Sequence, residues 1–455
     1  MKIAVLLKYY KGELGPFDEA ALECALLCGT EVTVVTMAPM SVLPALENLT
    51  RLGIKATLIT DSAYVGSDTV ATSYVLSEAL KKISPDVIFA GRQSMDGDTS
   101  QVPPMIAERL GFDFVPCVME FNTGGVVTRS GKASSLNKNT VFTFERIRTL
   151  RFPSIFSKKG EVEIWDNKTL RLDVKRCGLD GSPTRVVRSY ESSVGRRDCE
   201  FFSPSDFERL IRESLSKESK KDSTEPADKA EKIYYVGDIR DVAERYAHAA
   251  VELDVEGKEA RLVAEELNSL GAEIVLFESR EEYKLLAARI AVITGSGLCA
   301  DCISFRRDGE RFIMTRPALG GNITADIVCT SKLSLATVRK NSGSLQDLIF
   351  AIGKGAVEYI DDVMALAKKY GASVAASRPL ADDGTLPYEY QVGITGKTVS
   401  PRVYVALGIS GAVQHTSAIS GAGTVIAVNT DRSARIFDYS DYGIVTDIKK
   451  LLKEL

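Results

Sequence analysis

The chain has 455 residues, with 57 lysines and arginines against 61 aspartates and glutamates and a formal net charge of −4. That length is too great for one ordinary core and calls for two or three domains, and the acidic balance argues against a nucleic-acid surface. No apolar run reaches membrane-spanning length, the start Met1–Lys8 is too short and too soon charged for a secretory leader, and eight scattered cysteines make no disulfide framework, so the expected setting is a reducing cytoplasm.

From Met1 to about Gly111 short Val/Ile/Leu-rich stretches alternate with amphipathic ones. The pattern predicts strands near 3–8, 31–37, 55–60 and 86–90, and helices near 17–28, 41–53, 68–83 and 100–111. Such alternation is the signature of an α/β fold with a doubly wound parallel sheet. Lys8, Met37, Asp61 and Gly91 then stand at carboxyl ends of strands, where open α/β sheets receive ligands. The longest of these loops is Gly91-Arg92-Gln93-Ser94-Met95-Asp96-Gly97-Asp98-Thr99-Ser100-Gln101-Val102. Its backbone N–H groups, with Thr99 or Ser100 as a helix cap, suit phosphates. Asp96 and Asp98 alone supply too few ligands for a metal, and no metal site is expected anywhere in the chain.

Segment 145–195 is less regular. A helix is expected at about 204–215, followed by a polar, charged linker at 216–231 without an apolar stripe. Beyond it, Ile233–Gly237 and Glu273–Phe277 read as strands around a long helical stretch, with His248 on a charge-rich helix face. Cys299 and Cys302 have redox-like spacing but lack a second pair of ligands, and read as buried packing. After a short link from Lys340 to Leu345, polar loops follow each apolar strand. Val374–Ser377 leads into Arg378, Val403–Ile409 into Ser410-Gly411-Ala412, and Thr424–Val428 into Asn429, before a closing helix at Ile444–Leu455. Three such strand ends describe one polar crevice, and the helix opened by Ser410-Gly411 offers free N–H groups to a pyrophosphate. His415 lies one turn along it, and Arg378 contributes a permanent positive charge. The pattern calls for a dinucleotide.

Several ordered motifs in this last fifth carry a family resemblance. They are Ser377-Arg378-Pro379-Leu380, Leu386-Pro387-Tyr388-Glu389-Tyr390-Gln391-Val392-Gly393, Thr395-Gly396-Lys397, Gly408-Ile409-Ser410-Gly411-Ala412-Val413-Gln414-His415 and Asp441-Tyr442-Gly443-Ile444-Val445. Together they resemble the FAD domain of the electron transfer flavoprotein α subunit. The resemblance implies three catalytic positions: Arg378 over the isoalloxazine, the Thr395 hydroxyl near flavin N5, and His415 facing the C2 carbonyl. It also implies that Ser377, Gln391, Val392, Gly393, Ser410, Gly411, Ala412, Val413, Gln414, Asn429, Asp447 and Ile448 hold the rest of FAD. Lys354 stands where the family often has Arg. Ile394 stands where it usually has Gln, which removes one polar contact. A one-electron carrier must stabilise negative charge gathering around N1 and C2=O, and a charge-assisted hydrogen bond there is worth about 1.5–3 kcal/mol.

The loop Gly91–Val102 is similar to the nucleotide loop of the β subunit of the same flavoproteins, and Leu6, Gly15 to Asp18 and Met37 align with its other contacts. Gly91, Arg92, Gln93, Asp96, Gly97, Asp98, Thr99, Ser100, Gln101 and Val102 are therefore candidate binders. Most members hold AMP there as a structural ligand, whereas a branch that uses NADH for electron bifurcation holds a second FAD. Asp68-Thr69-Val70-Ala71-Thr72-Ser73-Tyr74 and Gly178-Leu179-Asp180-Gly181-Ser182-Pro183-Thr184 look like that second branch, with Asp68, Thr69 and Thr72 as further binders. Arg151-Phe152-Pro153-Ser154 and Ser157-Lys158-Lys159 resemble a shortened form of the β-subunit loop that docks partner dehydrogenases, with Ile155-Phe156 between them.

Gly297–Cys302, Thr315–Ile323 and Ala336–Arg339 resemble a cut-down first domain of the α subunit. Arg316 there has two readings, a reach to the second nucleotide or a structural ion pair. The implied organisation is a β-like nucleotide-binding domain at 1–215, a linker at 216–231, a truncated α-like domain at 232–340 and an FAD-binding domain at 341–455, two subunits fused in one chain. The short link allows the FAD domain a smaller arc of rotation than in the family. The implied partners are a flavin-containing dehydrogenase, ferredoxin or flavodoxin, and NAD(H), with NADH as electron donor. Two other classes fit the residues less well. A hydrolase would read Gly408-Ile409-Ser410-Gly411-Ala412 as a nucleophile elbow, but its histidine must lie well downstream and His415 is five residues on. A plain adenine-nucleotide module leaves Arg378 and His415 unexplained.

Overall fold

The computed structural model describes residues 1–29, 31–94, 96–191, 196–216, 228–318, 323–339, 347–393 and 396–455. Its elements form two compact units: Met1–Arg188 with the elements from Ala230 to Val338, and Glu200–Ser216 with Leu348–Leu455. The expected linker and the short link near 340–345 fall largely outside the described residues.

In the first unit the predicted alternation is observed. Strands Lys2–Leu6, Glu31–Met37, Lys55–Ile59 and Val87–Gly91 pair in parallel, with helices Pro16–Leu27, Leu43–Leu49 and Thr69–Ile83 between them. Continuous apolar runs suit strands covered on both faces. Ile3, Val5, Val34 and Phe89 face one core, and Ala4, Val35 and Ile88 face the other. The chain winds outward from the first strand to the third, then returns to pair the fourth against the first strand's free edge. The winding direction therefore reverses between Leu6 and Ala90, and that reversal opens a crevice at the carboxyl ends.

Strands Asp113–Asn122, Gly125–Thr128, Ala133–Ser134 and Thr140–Phe144 extend the sheet on one side, and Val162–Trp165 pairs beside Lys55–Ile59 on the other, giving nine strands. Part of the segment expected to be irregular is thus sheet. A second, five-stranded parallel sheet carries Ala247–Glu252, Ala230–Val236, Ile274–Glu278, Ser334–Val338 and Gly297–Cys302 in spatial order. Here the expected long helix is corrected: helices Arg240–Tyr246 and Ala260–Ser269 flank a strand, and His248 stands exposed on that strand. Alanine-rich composition favours helix locally, but pairing with Ala230–Tyr235 overrides it. Cys299 and Cys302 are buried in sheet, as packing residues. Strands Thr184–Glu191, Ile323–Cys329, Arg311–Ala318 and Ser304–Asp308 make a smaller sheet.

The second unit is one parallel sheet in the order Glu200–Phe202, Tyr442–Val445, Thr424–Asn429, Val403–Leu407, Leu348–Ile352, Ser373–Ala376. The expected closing helix is corrected at its start. Tyr442–Val445 is a strand, and the helix runs Ile448–Glu454 behind a cap at Asp447. Strand Glu200–Phe202 and helix Phe207–Ser216 belong to this sheet rather than ending the N-terminal one. Phe207, Leu210 and Ile211 recur at helical spacing and enter a core with Phe350 and Val405. Among the described residues, no helix is long and apolar enough to cross a membrane.

Candidate functional site

In the C-terminal unit the sheet again reverses its winding, between Leu348–Ile352 and Val403–Leu407. Two glycines form the walls there. A Cβ on Gly353 would meet the Gly408 carbonyl oxygen at 2.2 Å, and one on Gly408, at φ +63, would meet Ala356 N at 2.6 Å. Only glycine lets these two strand ends approach so closely. All strands being parallel, Lys354, Ser377-Arg378, Ser410, Asn429 and Asp447 stand on one edge of the sheet. Five strand ends at about 4.8 Å spacing span roughly 19 Å, the length of an extended dinucleotide rather than a mononucleotide.

The predicted helix after Ser410 is a single turn, Val413–Thr416. His415 at its centre is buried, with Nε2 2.8 Å from Tyr404 Oη. Burial lowers the imidazole to a pKa of about 4, with a Val392 backbone group opposing in part, so the ring is neutral at pH 7. Burial also raises the Tyr404 phenol, which stays protonated. If Tyr404 donates to Nε2, one polar atom is left over, and the opposite assignment leaves two. The first is favoured because each unpaired buried group costs about 1–3 kcal/mol. His415 Nδ1 is then a buried N–H donor that lies near the Val392 backbone but makes no well-formed hydrogen bond among the described residues, which suits a ligand carbonyl. Tyr404 was missed by the sequence reading, since it reads there as an ordinary strand residue.

Around this donor the backbone is tightly fixed. Val392 N donates to Ala376 O at 2.9 Å, Lys397 N to Gln391 O at 2.8 Å, and Gly393 N to Lys397 O at 3.1 Å. A side chain on Gly393 would press on the Gln414 carbonyl. Gly411, at φ +86, lies against Ile436 N. Ser410, Ala412 and Gln414 are exposed on the crevice edge, while Ser377 and Gln391 are buried beside it. Arg378 Nε pairs with Asp382 Oδ2 at 3.3 Å. Asn429 is committed to the protein, donating to Ile409 O and accepting from Asp431 N. Asp447 caps its helix through Lys449 N, and Ile448 packs into the core. Ile394 and Thr395 lie outside the described residues.

The second candidate site is a cleft of about 270 Å³ in the first unit, at the reversal between Leu6 and Ala90. Leu6, Lys8, Met37, Asp68, Thr69, Thr72 and most of the loop from Gly91 to Val102 line it, as predicted from sequence. Gly91 is required by contact, since a Cβ there would meet Asp18 Oδ1 at 2.7 Å. Asp18 is buried, and burial pushes its carboxyl up to about 8 against the lowering effect of the Lys8 and Gly91 backbone and the Lys8 ammonium. Asp61 is corrected: it accepts from Ala63 N and Asn167 N and does not line the cleft. Neither Thr99 nor Ser100 caps the following helix, Val102–Leu110, whose N-cap position is Gln101.

Asp68 instead caps helix Thr69–Ile83, accepting from Val70 N and Ala71 N, while its other oxygen accepts from Thr184 N and Oγ1. Thr69 Oγ1 donates to Gln101 Oε1, and among the described residues the buried Gln101 Nε2 has no protein partner. Arg92 pairs with Glu145 at 3.0 Å, Lys8 with Asp96 at 3.4 Å, and Gln93 Nε2 donates to Asp98. Arg316 reaches this loop, where its Nη2 donates to Gly97 O at 2.8 Å, and among the described residues its buried Nε has no partner. A volume near 300 Å³ with convergent, unpartnered donors suits one nucleotide half.

Residues 3–147 and 238–377 match the Electron transfer flavoprotein domain family, and residues 344–420 match the Electron transfer flavoprotein FAD-binding domain family. The electron transfer flavoprotein subunit alpha of Thermoanaerobacterium thermosaccharolyticum is 33% identical over 242 residues, covering 43% of this chain and 73% of that protein. The electron transfer flavoprotein subunit beta of Clostridium acetobutylicum is 35% identical over 198 residues, covering 40% and 76%. The acryloyl-CoA reductase electron transfer subunit beta of Anaerotignum propionicum is 31% identical over 254 residues, covering 40% and 69%.

Proposed function

The chain belongs to the electron transfer flavoprotein family, with relatives named for both the α and the β subunit, and on that premise we propose that it moves electrons from NADH or a dehydrogenase to redox partners through two bound nucleotides. FAD occupies the C-terminal crevice and supplies the one- and two-electron chemistry. A second FAD occupies the N-terminal cleft and allows electron bifurcation, with ferredoxin or flavodoxin as a low-potential acceptor. The observation that carries the reading is the buried His415, held by Tyr404 with its Nδ1 making no well-formed hydrogen bond among the described residues, at the edge of a domain matched to the FAD-binding family.

The chain's own groups divide the work. The Tyr404–His415 pair fixes the imidazole tautomer and presents Nδ1–H to a ligand carbonyl. Arg378, paired with Asp382, places a permanent positive charge at the same crevice edge, so negative charge gathering on the ligand is stabilised from two sides. In the N-terminal cleft Gln101 Nε2 and the described loop residues that line it orient the nucleotide, and Asp68 holds the helix start against Thr184. The exposed Phe152, Ile155 and Phe156 lie on a loop tied down by Arg151–Glu23 and by Arg51 to the Ser154 and Ser157 carbonyls. An apolar tip on a fixed loop suits docking of a partner, which we take to be a flavin-containing dehydrogenase; one relative is itself named as the electron transfer subunit of a reductase.

A second reading, AMP in the N-terminal cleft and a simple shuttle, is favoured by the cleft's modest size. Anaerobic titration with NADH separates the two. Two flavins per chain, both bleached by NADH, support bifurcation. One flavin, slow to bleach, overturns it in favour of the shuttle.

A further inference from the structure

Helix Thr69–Ile83 borders two cavities. Asp68, Thr69, Thr72 and Leu76 line the nucleotide cleft, whereas Val70 and Tyr74 line a separate cavity of about 320 Å³. At 3.6 residues per turn these two sets point to nearly opposite faces of the helix. The second cavity is therefore a distinct place, and its other walls come from Arg109, the Lys175–Pro183 segment, Val292, Gly295, Thr330 and Ser331.

Its charge is unusual for an acidic chain. Arg109 and Arg176 both lie against the Tyr74 ring, with Cζ at 5.7 and 3.9 Å from the centroid, and Lys175 lines the same space. Burial first, and then the Arg176 guanidinium, lowers Arg109 to about 10, so it remains charged at neutral pH. Among the described residues none of the three cations forms an ion pair, and Asp180 is the only carboxylate lining the cavity. Crowded like charges repel one another, a cost that a bound anion would offset.

The cavity's walls are also built. Gly178 N donates to Ser67 Oγ, Ser182 Oγ donates to Gly178 O, Asp68 N donates to Ser182 Oγ, and Thr330 N donates to Pro183 O at 2.8 Å. Arg109 is aimed by its bonds to Ser73 Oγ and Val70 O. Guanidinium groups match phosphate oxygens in a two-pronged fashion, and the space exceeds that of a single phosphate.

We propose that this cavity binds a small diphosphate or phosphorylated anion, independently of the nucleotide cleft on the other side of the helix. The test is calorimetric titration of pyrophosphate and orthophosphate into the full chain with its nucleotides retained. One saturable site is expected, tighter for pyrophosphate, and weakened at least tenfold in Arg176→Gln. Arg176 is exposed and, among the described residues, carries no ion pair, so unchanged thermal unfolding is expected for that variant and is checked alongside. Arg176→Lys should recover part of the affinity, and nucleotide content should be unchanged throughout. The absence of a saturable site, or equal affinity in Arg176→Gln, would overturn the proposal whatever nucleotides the chain holds.

Discussion

Asp18→Asn tests how the nucleotide loop is packed. Because Gly91 lacks a side chain, the start of helix Pro16–Leu27 sits on the end of strand Val87–Gly91, and the Asp18 carboxyl is shut away from water. Its pKa rises to about 8 from an ordinary 3.8, through burial first. Between those values the folded chain keeps a proton that the unfolded chain has released. Stability therefore falls as pH rises, by about 1.4 kcal/mol per unit. Across the whole window the loss is on the order of 5 kcal/mol. Asparagine has the same shape and does not ionise, so the variant should match the wild type near pH 4 and exceed it increasingly toward pH 8. Urea unfolding at several pH values measures this, with fluorescence of the single tryptophan, Trp165, reporting on the same sheet. Parallel pH profiles for the two proteins, or a variant less stable at pH 8, would refute the argument.

Other outcomes follow from the same geometry. Tyr404→Phe removes the hydroxyl that fixes His415 Nε2 and should cost about 1–3 kcal/mol in the C-terminal unit, with a shift in the bound flavin's potential; an unchanged potential would remove His415 from the account. Gly408→Ala forces a Cβ onto Ala356 N at a positive φ and should lower stability by about 2 kcal/mol or more and empty the crevice, seen as lost yellow colour. Replacing both Phe152 and Phe156 by Asp should raise the KM for a partner dehydrogenase at least tenfold with flavin content intact. Equal kinetics would show that the apolar loop tip is not a docking surface.

The α/β alternation and the crevice edges were legible because they depend on local patterns: apolar runs, small residues at strand ends, a loop of unusual length. Gly91, Gly408 and His415 stood out for that reason. What escaped was set by contacts distant in sequence. The partner of Arg316, the Gly97 carbonyl, lies 219 positions away, so Arg311–Ala318 itself suggested a reach without showing its target. Tyr404 becomes important only once His415 folds over it. Strand Ala247–Glu252 carries residues that prefer helix in isolation and is fixed by its neighbour. Ile444 and Val445 read as the start of the closing helix because so short an apolar run shows no period; they end a strand instead, separated by one residue from the true helix cap at Asp447.

The most direct test of the account is to denature the purified chain and identify the nucleotides it releases. FAD in at least equimolar amount is predicted, with a second FAD or AMP from the N-terminal cleft. A fully folded chain that releases no flavin would contradict the central claim that the C-terminal crevice is a flavin site.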